Sequence, residues 1–330
     1  MAHKIDDVEK KNKKQHNRRT FLKGAGLVAV ASSLNPAWAL NTSQDDSAAA
    51  SAPATKTQIF SVGAIFNPYY RPDDWSLLTN RQPEKMPLLG AYGSDMRGSI
   101  DTQVIWAQKM GLHYFVVPYQ QGRPETDQNL QGLFEIANKH DFKIGLFIDP
   151  QESAAGIDWS RLSTQYFSHP AYLKVAGNEP FVGLVQNDSK SGRQPEKNGF
   201  DRAMCSVQAS WRWMPHSDAD TRFAEAAENR GTYLGLSLTG TDRTPVKRLQ
   251  VMPKYAGALN VLWVSPQRHI DYSTGKFKLV LPAIPSPGQT PSFVILDSFN
   301  NWGISVPLEP STKLGESYVS QVRQWIKTLS

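Results

Sequence analysis

The residues best placed to do chemistry stand at the end of an apolar run. Phe293, Val294, Ile295 and Leu296 are followed by Asp297, Asn300, Asn301 and Trp302, and a loop then leads to Glu309, Pro310 and Ser311. A buried strand hands polar side chains to a site in this way. Other apolar runs end alike, in Asn67, Pro68, Tyr69 and Tyr70 with Trp75 close behind, in Tyr119 with Gln120, in Asp149 with Glu152, in Trp211 with Trp213, and in Thr241 with Asp242. Aromatic rings stack on the C–H faces of a pyranose, while carboxylates, amides and guanidinium groups hold its hydroxyls. Cleaving a glycosidic bond further requires a proton donor and a carboxylate acting as base or nucleophile.

Asp297, Glu309 and Asp149 are the candidates for that acid–base work, and each also has a scaffolding alternative as a loop cap or backbone ligand. Tyr69, Tyr119, Glu152, Trp211, Trp213, Asp242, Asn300, Asn301 and Trp302 are the candidates for substrate contact. Trp211 and Trp213 share one face of an extended segment because Arg212 lies between them; the alternative for them and for the tyrosines is packing at the rim of a core. Other chemistries lack their residues. The histidines are scattered without an H-E-x-x-H pair, and there is no G-x-S-x-G elbow or phosphate-binding glycine loop, so no metal or cofactor is expected. The single cysteine, Cys205, sits in an apolar run and cannot form an internal disulfide.

The elements that must position these residues alternate. Apolar runs predict strands over 59–66, 113–118, 142–148, 180–185, 203–209, 233–238, 258–264 and 292–297, and helical periodicity predicts helices over 99–110, 126–140, 159–167, 218–229, 245–252 and 315–329. Eight strands with intervening helices in one domain favour a single (β/α)8 barrel, an α/β fold whose sites gather at the C-terminal ends of the strands.

The N-terminal end reads differently. Asn17-Arg18-Arg19-Thr20-Phe21-Leu22-Lys23, a short apolar run and Ala37-Trp38-Ala39 compose a twin-arginine export signal over 1–39, with a flexible linker over 40–57 and the folded domain over 58–330. The expected destination is the periplasm or the exterior, with the twin-arginine translocase as a transient partner and no membrane span left after cleavage. Residues 1–39 hold eight Lys or Arg and three acids, so the 36 basic and 30 acidic side chains of the whole chain fall to 28 and 27 without them. The remaining chain is nearly neutral, and its charge gives no reason to expect nucleic acid as a partner.

The stretch Phe299, Asn300, Trp302, Glu309, Pro310 and Ser311 resembles the C-terminal motif of glycoside hydrolase family 99, the endo-α-mannosidases, and of their WbsX-like relatives, roughly F-N-E-W-x-E-G-T-x-I-E-P-S. The loop Gly240-Thr241-Asp242-Arg243-Thr244-Pro245 and the segment from Phe167 to Val182 are similar to two further motifs of that family. The resemblance implies a barrel acting on a polysaccharide or oligosaccharide, with mannose-containing envelope glycans among the candidates. It also implies a defect, because the two glutamates that carry catalysis in the family fall on Asn301 and Ile304. An amide can bond a sugar hydroxyl but cannot take its proton, so three readings stand: a hydrolase whose acid and base have moved, a non-catalytic glycan-binding relative serving polysaccharide assembly or export, and a structural partner in an envelope complex.

Overall fold

The computed structural model describes residues 61–75, 86–119, 121, 124–148, 157–186, 205–210, 237–238, 246–252, 255, 259–271, 273–274, 276–284, 291–302 and 306–329. The expected export signal and linker, the helix expected over 218–229 and the loop 240–245 fall outside them.

Among the described residues seven strands run parallel, in the order β5 (Cys205–Ser210), β4 (Val182–Gln186), β3 (Lys143–Ile148), β2 (Tyr114–Tyr119), β1 (Ser61–Ile65), β12 (Phe293–Leu296) and β9 (Val261–Val264). Helices α1 (Arg97–Met110), α2 (Pro124–Lys139) and α3 (Trp159–Leu162, continued by a wide turn over Ser163–Phe167) follow the first three strands, and α4 (Ser317–Lys327) follows the last. α1 buries Ile100, Gln103, Val104, Trp106, Ala107 and Met110, a stripe at helical spacing, and packs against α2 and α4. It stops at Gly111, whose φ of 87° lets its N–H return to the carbonyls of Ala107 and Gln108.

Among the described residues the later chain does not continue the strand–helix alternation. Of the helix expected over 245–252, residues 246–252 are described and form strands instead: β7 (Val246–Arg248) pairs antiparallel with β9, and β8 (Gln250–Val251) pairs antiparallel with β5. Between them the Leu249 N–H donates to Val261 O at 2.8 Å. The segment thus touches both outer strands of the parallel set, and the sheet curls around it. Pro245 and the spacing of Val246, Leu249 and Met252 suit a helical stripe equally well, but the open backbone groups of β5 and β9 offer this segment two ladders. Of the strand expected over 233–238, Ser237–Leu238 (β6) is described, antiparallel to β5. The connection from β9 to β12 carries an unforeseen hairpin, β10 (Gln267–Asp271) with β11 (Lys276–Val280). Its turn is tied by Asp271, which accepts from Ser273 N–H and the hydroxyls of Ser273 and Thr274, holding its carboxyl down to about 2.

The parallel sheet has two apolar faces. Val62, Ala64, Phe66, Phe115, Val117, Leu146, Val294 and Leu296 pack outward beneath the helices. Ile65, Tyr114, Val116, Phe147, Trp263, Phe293 and Ile295 fill the inside of the curl. Rings fit there because glycines make room on neighbouring strands: a Cβ at Gly183 would lie 2.0 Å from Phe147, and one at Gly63 would lie 2.2 Å from Tyr114. The mixed α/β architecture is therefore a curled, mainly parallel sheet with helices outside.

Candidate functional site

Past its last ladder pair, β12 keeps to its neighbours. Asp297 N–H donates to Val264 O on β9 at 2.9 Å and Phe299 N–H to Ile65 O on β1 at 2.7 Å, across a cis Asp297–Ser298 peptide. The loop is then clipped to the end of β1. Asn300 accepts from Asn67 N–H through Oδ1 at 2.7 Å and donates to Asn67 O through Nδ2 at 3.1 Å. Tyr70 donates to Asn300 O at 2.7 Å and accepts from Trp302 N–H at 3.0 Å.

Beyond this clip lies a buried carboxylate. Glu309 Oε1 accepts from Gln103 Nε2 at 2.7 Å, and Oε2 accepts from Trp302 Nε1 at 2.6 Å and Tyr92 OH at 3.0 Å. Tyr70, Trp75, Tyr92 and Trp302 pack as one aromatic cluster around it. Burial pushes the Glu309 carboxyl up to about 7 against the pull of its three donors, and burial with the adjacent Glu309 pushes the Tyr92 phenol up as well.

Asn300, Trp302 and Glu309 thus form one scaffold, joined by the Trp302–Glu309 bond and through Tyr70 and Tyr92. Expected at the substrate or the acid–base step, they are spent on the protein itself, because a loop buried this deeply must satisfy its own polar groups. Phe299 completes the anchor against Phe115, with ring centroids 4.9 Å apart. The segment from Phe167 to Val182 is likewise structural: Phe167, Tyr172, Phe181 and Val182 are buried, and Tyr172 OH donates to Phe181 O at 2.7 Å.

Two other expected contacts are also turned to structural work. Tyr69 donates its hydroxyl to Pro118 O, joining the ends of β1 and β2. Tyr119 belongs to the outward face of β2, two residues on from Val117, and its ring meets Tyr166 edge-on at 5.8 Å. Burial and the neighbouring Asp127 push its phenol up to about 12. Alternation along the strand decides this, since Tyr114 and Val116 take the inward positions.

Several enclosed polar atoms without a well-formed hydrogen bond lie on the inner face. Asp297 is half-buried; its Oδ1 is enclosed and has no hydrogen-bond partner. Burial pushes its carboxyl up to about 7, with a smaller opposing effect from the Trp263 indole. Asn67 is fully buried, and neither its side-chain oxygen nor its nitrogen has a partner. Trp263 Nε1 is enclosed and lies against the Asp297 carboxyl without a well-formed hydrogen bond. Each buried polar group left in this way costs about 1–3 kcal/mol. Asn301, at the first family glutamate position, is buried, and its backbone N–H donates to Ser298 Oγ at 2.8 Å. Asp149, Glu152, Trp211, Trp213, Asp242 and Ile304 lie outside the described residues.

Sequence reasoning assigned no role to Asn67, Trp263, Gln103 or Tyr92. The signal for Asn67 was its place two residues beyond Ile65 on the inward period of β1; nothing local marks Gln103, a polar residue on the buried stripe of α1.

The sequence matches no protein-family model and no curated protein. Among solved structures, the chain is similar to the GH99 endo-alpha-mannosidase from Bacteroides thetaiotaomicron, with TM-score 0.48 and 13% identity, covering 81% of this chain and 97% of that one. The same enzyme in complex with bis-tris-propane gives TM-score 0.49 at 13% identity, covering 82% and 97%. A glycoside hydrolase-like protein gives TM-score 0.43 at 12% identity, covering 81% and 94%.

Proposed function

We propose that the protein is an exported, glycoside-hydrolase-like protein that holds a polysaccharide or oligosaccharide at the C-terminal ends of β1, β9 and β12, and that it binds this glycan without cleaving it. The observation that carries the reading is the division of labour between two carboxylates. Glu309 has both oxygens taken by protein donors, whereas Asp297 keeps one without a partner. In the described part of the last loop a single carboxylate is therefore available, and position 301 supplies an amide. Glycoside cleavage uses two carboxyl groups, and acid–base assistance contributes typically 10²-fold to 10⁴-fold. The sugar assignment comes from the motif resemblance, and the matched residues Asn300, Trp302 and Glu309 form one connected network that holds the loop on the sheet.

A hydrolase is the second reading, favoured by the Asp297 carboxyl itself: at about 7 it is poised to give or take a proton near neutrality. Its partner would come from Asp149, Glu152 or Asp242. Purified protein incubated with mannans and with the envelope polysaccharide of the producing cell separates the two. Retention of polysaccharide with no new reducing ends supports binding. Release of reducing ends that disappears in Asp297→Asn establishes the hydrolase.

A further inference from the structure

Resting on the glycan-binding reading, we propose that the outer face of the β10–β11 hairpin docks acidic polysaccharide, with Lys276 and Lys278 engaging the carboxylates of its uronate residues. The register defines that face. Gln267 stands opposite Val280, His269 opposite Lys278 and Asp271 opposite Lys276, so these six side chains share one side of the ribbon. Five of them are exposed, and Asp271 is partly so. Arg268 and Leu279 take the other side, where Leu279 is buried in the core.

The fold leaves the cations of this face without a counter-charge. Residues 267–280 hold Arg268, Lys276 and Lys278 against one acid, Asp271. Asp271 sits across from Lys276, yet both its oxygens turn back into the loop, one onto Ser273 and the other onto the Thr274 hydroxyl. Among the described residues no carboxylate pairs with Lys276, Lys278 or His269, whereas Arg97, Lys109, Lys139, Lys143 and Arg161 each have one. Charges on a two-stranded ribbon also discourage pairing with other chains. Either sign serves that purpose, and this face offers only unpaired cations.

The hairpin stands beside the strand ends at which the glycan is held. Only Ser265 and Pro266 separate it from Val264 at the end of β9, whose carbonyl accepts the Asp297 N–H at 2.9 Å. On its inner side Arg268 borders a cleft shared with Trp302, Val306 and Pro307 of the last loop and Tyr318 of α4. Farther on, the returning chain is tied to α4 by the Trp325 indole, which donates to Pro282 O at 3.0 Å. The ribbon is thus held by one side and open to solvent on the other. Its two ammonium groups stand about 7 Å apart along β11, with the His269 imidazole across from one of them. That row suits anions repeated along a chain, and a polysaccharide running from Asp297 past β9 meets it if its sugars carry carboxylates.

Full-length protein is compared with a Lys276→Gln, Lys278→Gln variant and with a Lys139→Gln, Lys143→Gln control of equal charge, whose lysines lie at the opposite, N-terminal end of β3. Affinity is measured for polygalacturonate, for the same polymer with its carboxyls reduced to alcohols, and for mannan. At low salt the wild type and the control should bind polygalacturonate about threefold to tenfold more tightly than the hairpin variant, a difference that closes in about 0.5 M salt. All three proteins should bind the reduced polymer and mannan alike. The hairpin variant should unfold at the wild-type midpoint, since neither ammonium group makes an ion pair in the fold. Equal losses in the hairpin and control variants would reduce the effect to net charge and overturn the docking surface. So would an unchanged affinity in the hairpin variant, or equal affinity of the wild type for polygalacturonate and its reduced form. Binding to phosphatidylglycerol vesicles that is lost in the hairpin variant, with no preference for the polyuronate, would assign this face to a membrane and overturn the proposal as well. None of these outcomes touches glycan binding itself. Failure to retain mannan, polygalacturonate and the cell's own envelope polysaccharide alike would overturn the glycan reading and the docking surface with it.

Discussion

Replacing Glu309 by Gln should make the protein more stable at pH 8, although it removes a carboxylate that accepts three hydrogen bonds. The folded state keeps the Glu309 proton up to about 7, whereas its ordinary value is about 4.5. Between these values the folded chain binds more protons than the unfolded one, so stability falls as pH rises from about 4.5 to about 7 and levels off above. At 1.36 kcal/mol per pH unit the loss is roughly 3 kcal/mol. Gln has the same shape and no charge to desolvate. Its oxygen can serve Trp302 and Tyr92, and its NH2 group can face Gln103 once that amide rotates to present its own oxygen. Glu309→Gln should therefore match wild type at pH 4.5 and exceed it by about 2–3 kcal/mol at pH 8. Glu309→Ala strands three buried donors and should lose about 3–5 kcal/mol at pH 4.5, a deficit that shrinks to about 0–2 kcal/mol at pH 8 because the variant escapes the wild-type loss. Urea unfolding followed by tryptophan fluorescence reads all three proteins. Asp297, also pushed up to about 7, adds a similar window to each of them and cancels in the comparison. If Gln were as damaging as Ala at pH 8, the carboxylate would be favoured in its charged form and the reasoning from burial would be wrong.

Gly183→Ala would place a Cβ 2.0 Å from the Phe147 ring and should cost about 3 kcal/mol, partly regained in a Gly183→Ala, Phe147→Leu double variant measured by thermal unfolding. Asn300→Ala strands the buried backbone N–H and C=O of Asn67 and should cost about 2–4 kcal/mol, together with a loss of glycan retention larger than the stability change explains. Asp158→Ala removes the cap that accepts from Arg161 N–H at 2.9 Å and should cost about 1 kcal/mol, with retention unchanged.

The first half of the fold was legible because β1 to β4 are short runs buried on both faces, separated by helices with clear stripes such as that of α1. Residues 245–252 were misread because their spacing fits a helix as well as a strand, and only the open edges of β5 and β9 decide between them. The hairpin after β9 was missed for the opposite reason: its polar face weakens the apolar signal, and Asp271 makes the turn without an Asn-Gly pair. The site was legible as a location more than as a set of roles. Polar residues at a strand end were read as facing a ligand, yet Asn300, Trp302 and Glu309 satisfy one another and the backbone. Which polar atoms are consumed by the fold, and which are left over as in Asn67, depends on contacts between β1, α1 and the last loop more than two hundred residues apart in the chain.

The most direct test of a glycan site at the inner strand ends is a crystal structure of the protein with a bound manno-oligosaccharide, or with a fragment of the cell's envelope polysaccharide. The account predicts an intact sugar at the C-terminal ends of β1, β9 and β12, within hydrogen-bond distance of Asp297. A sugar seated elsewhere, or a cleaved one, would contradict it.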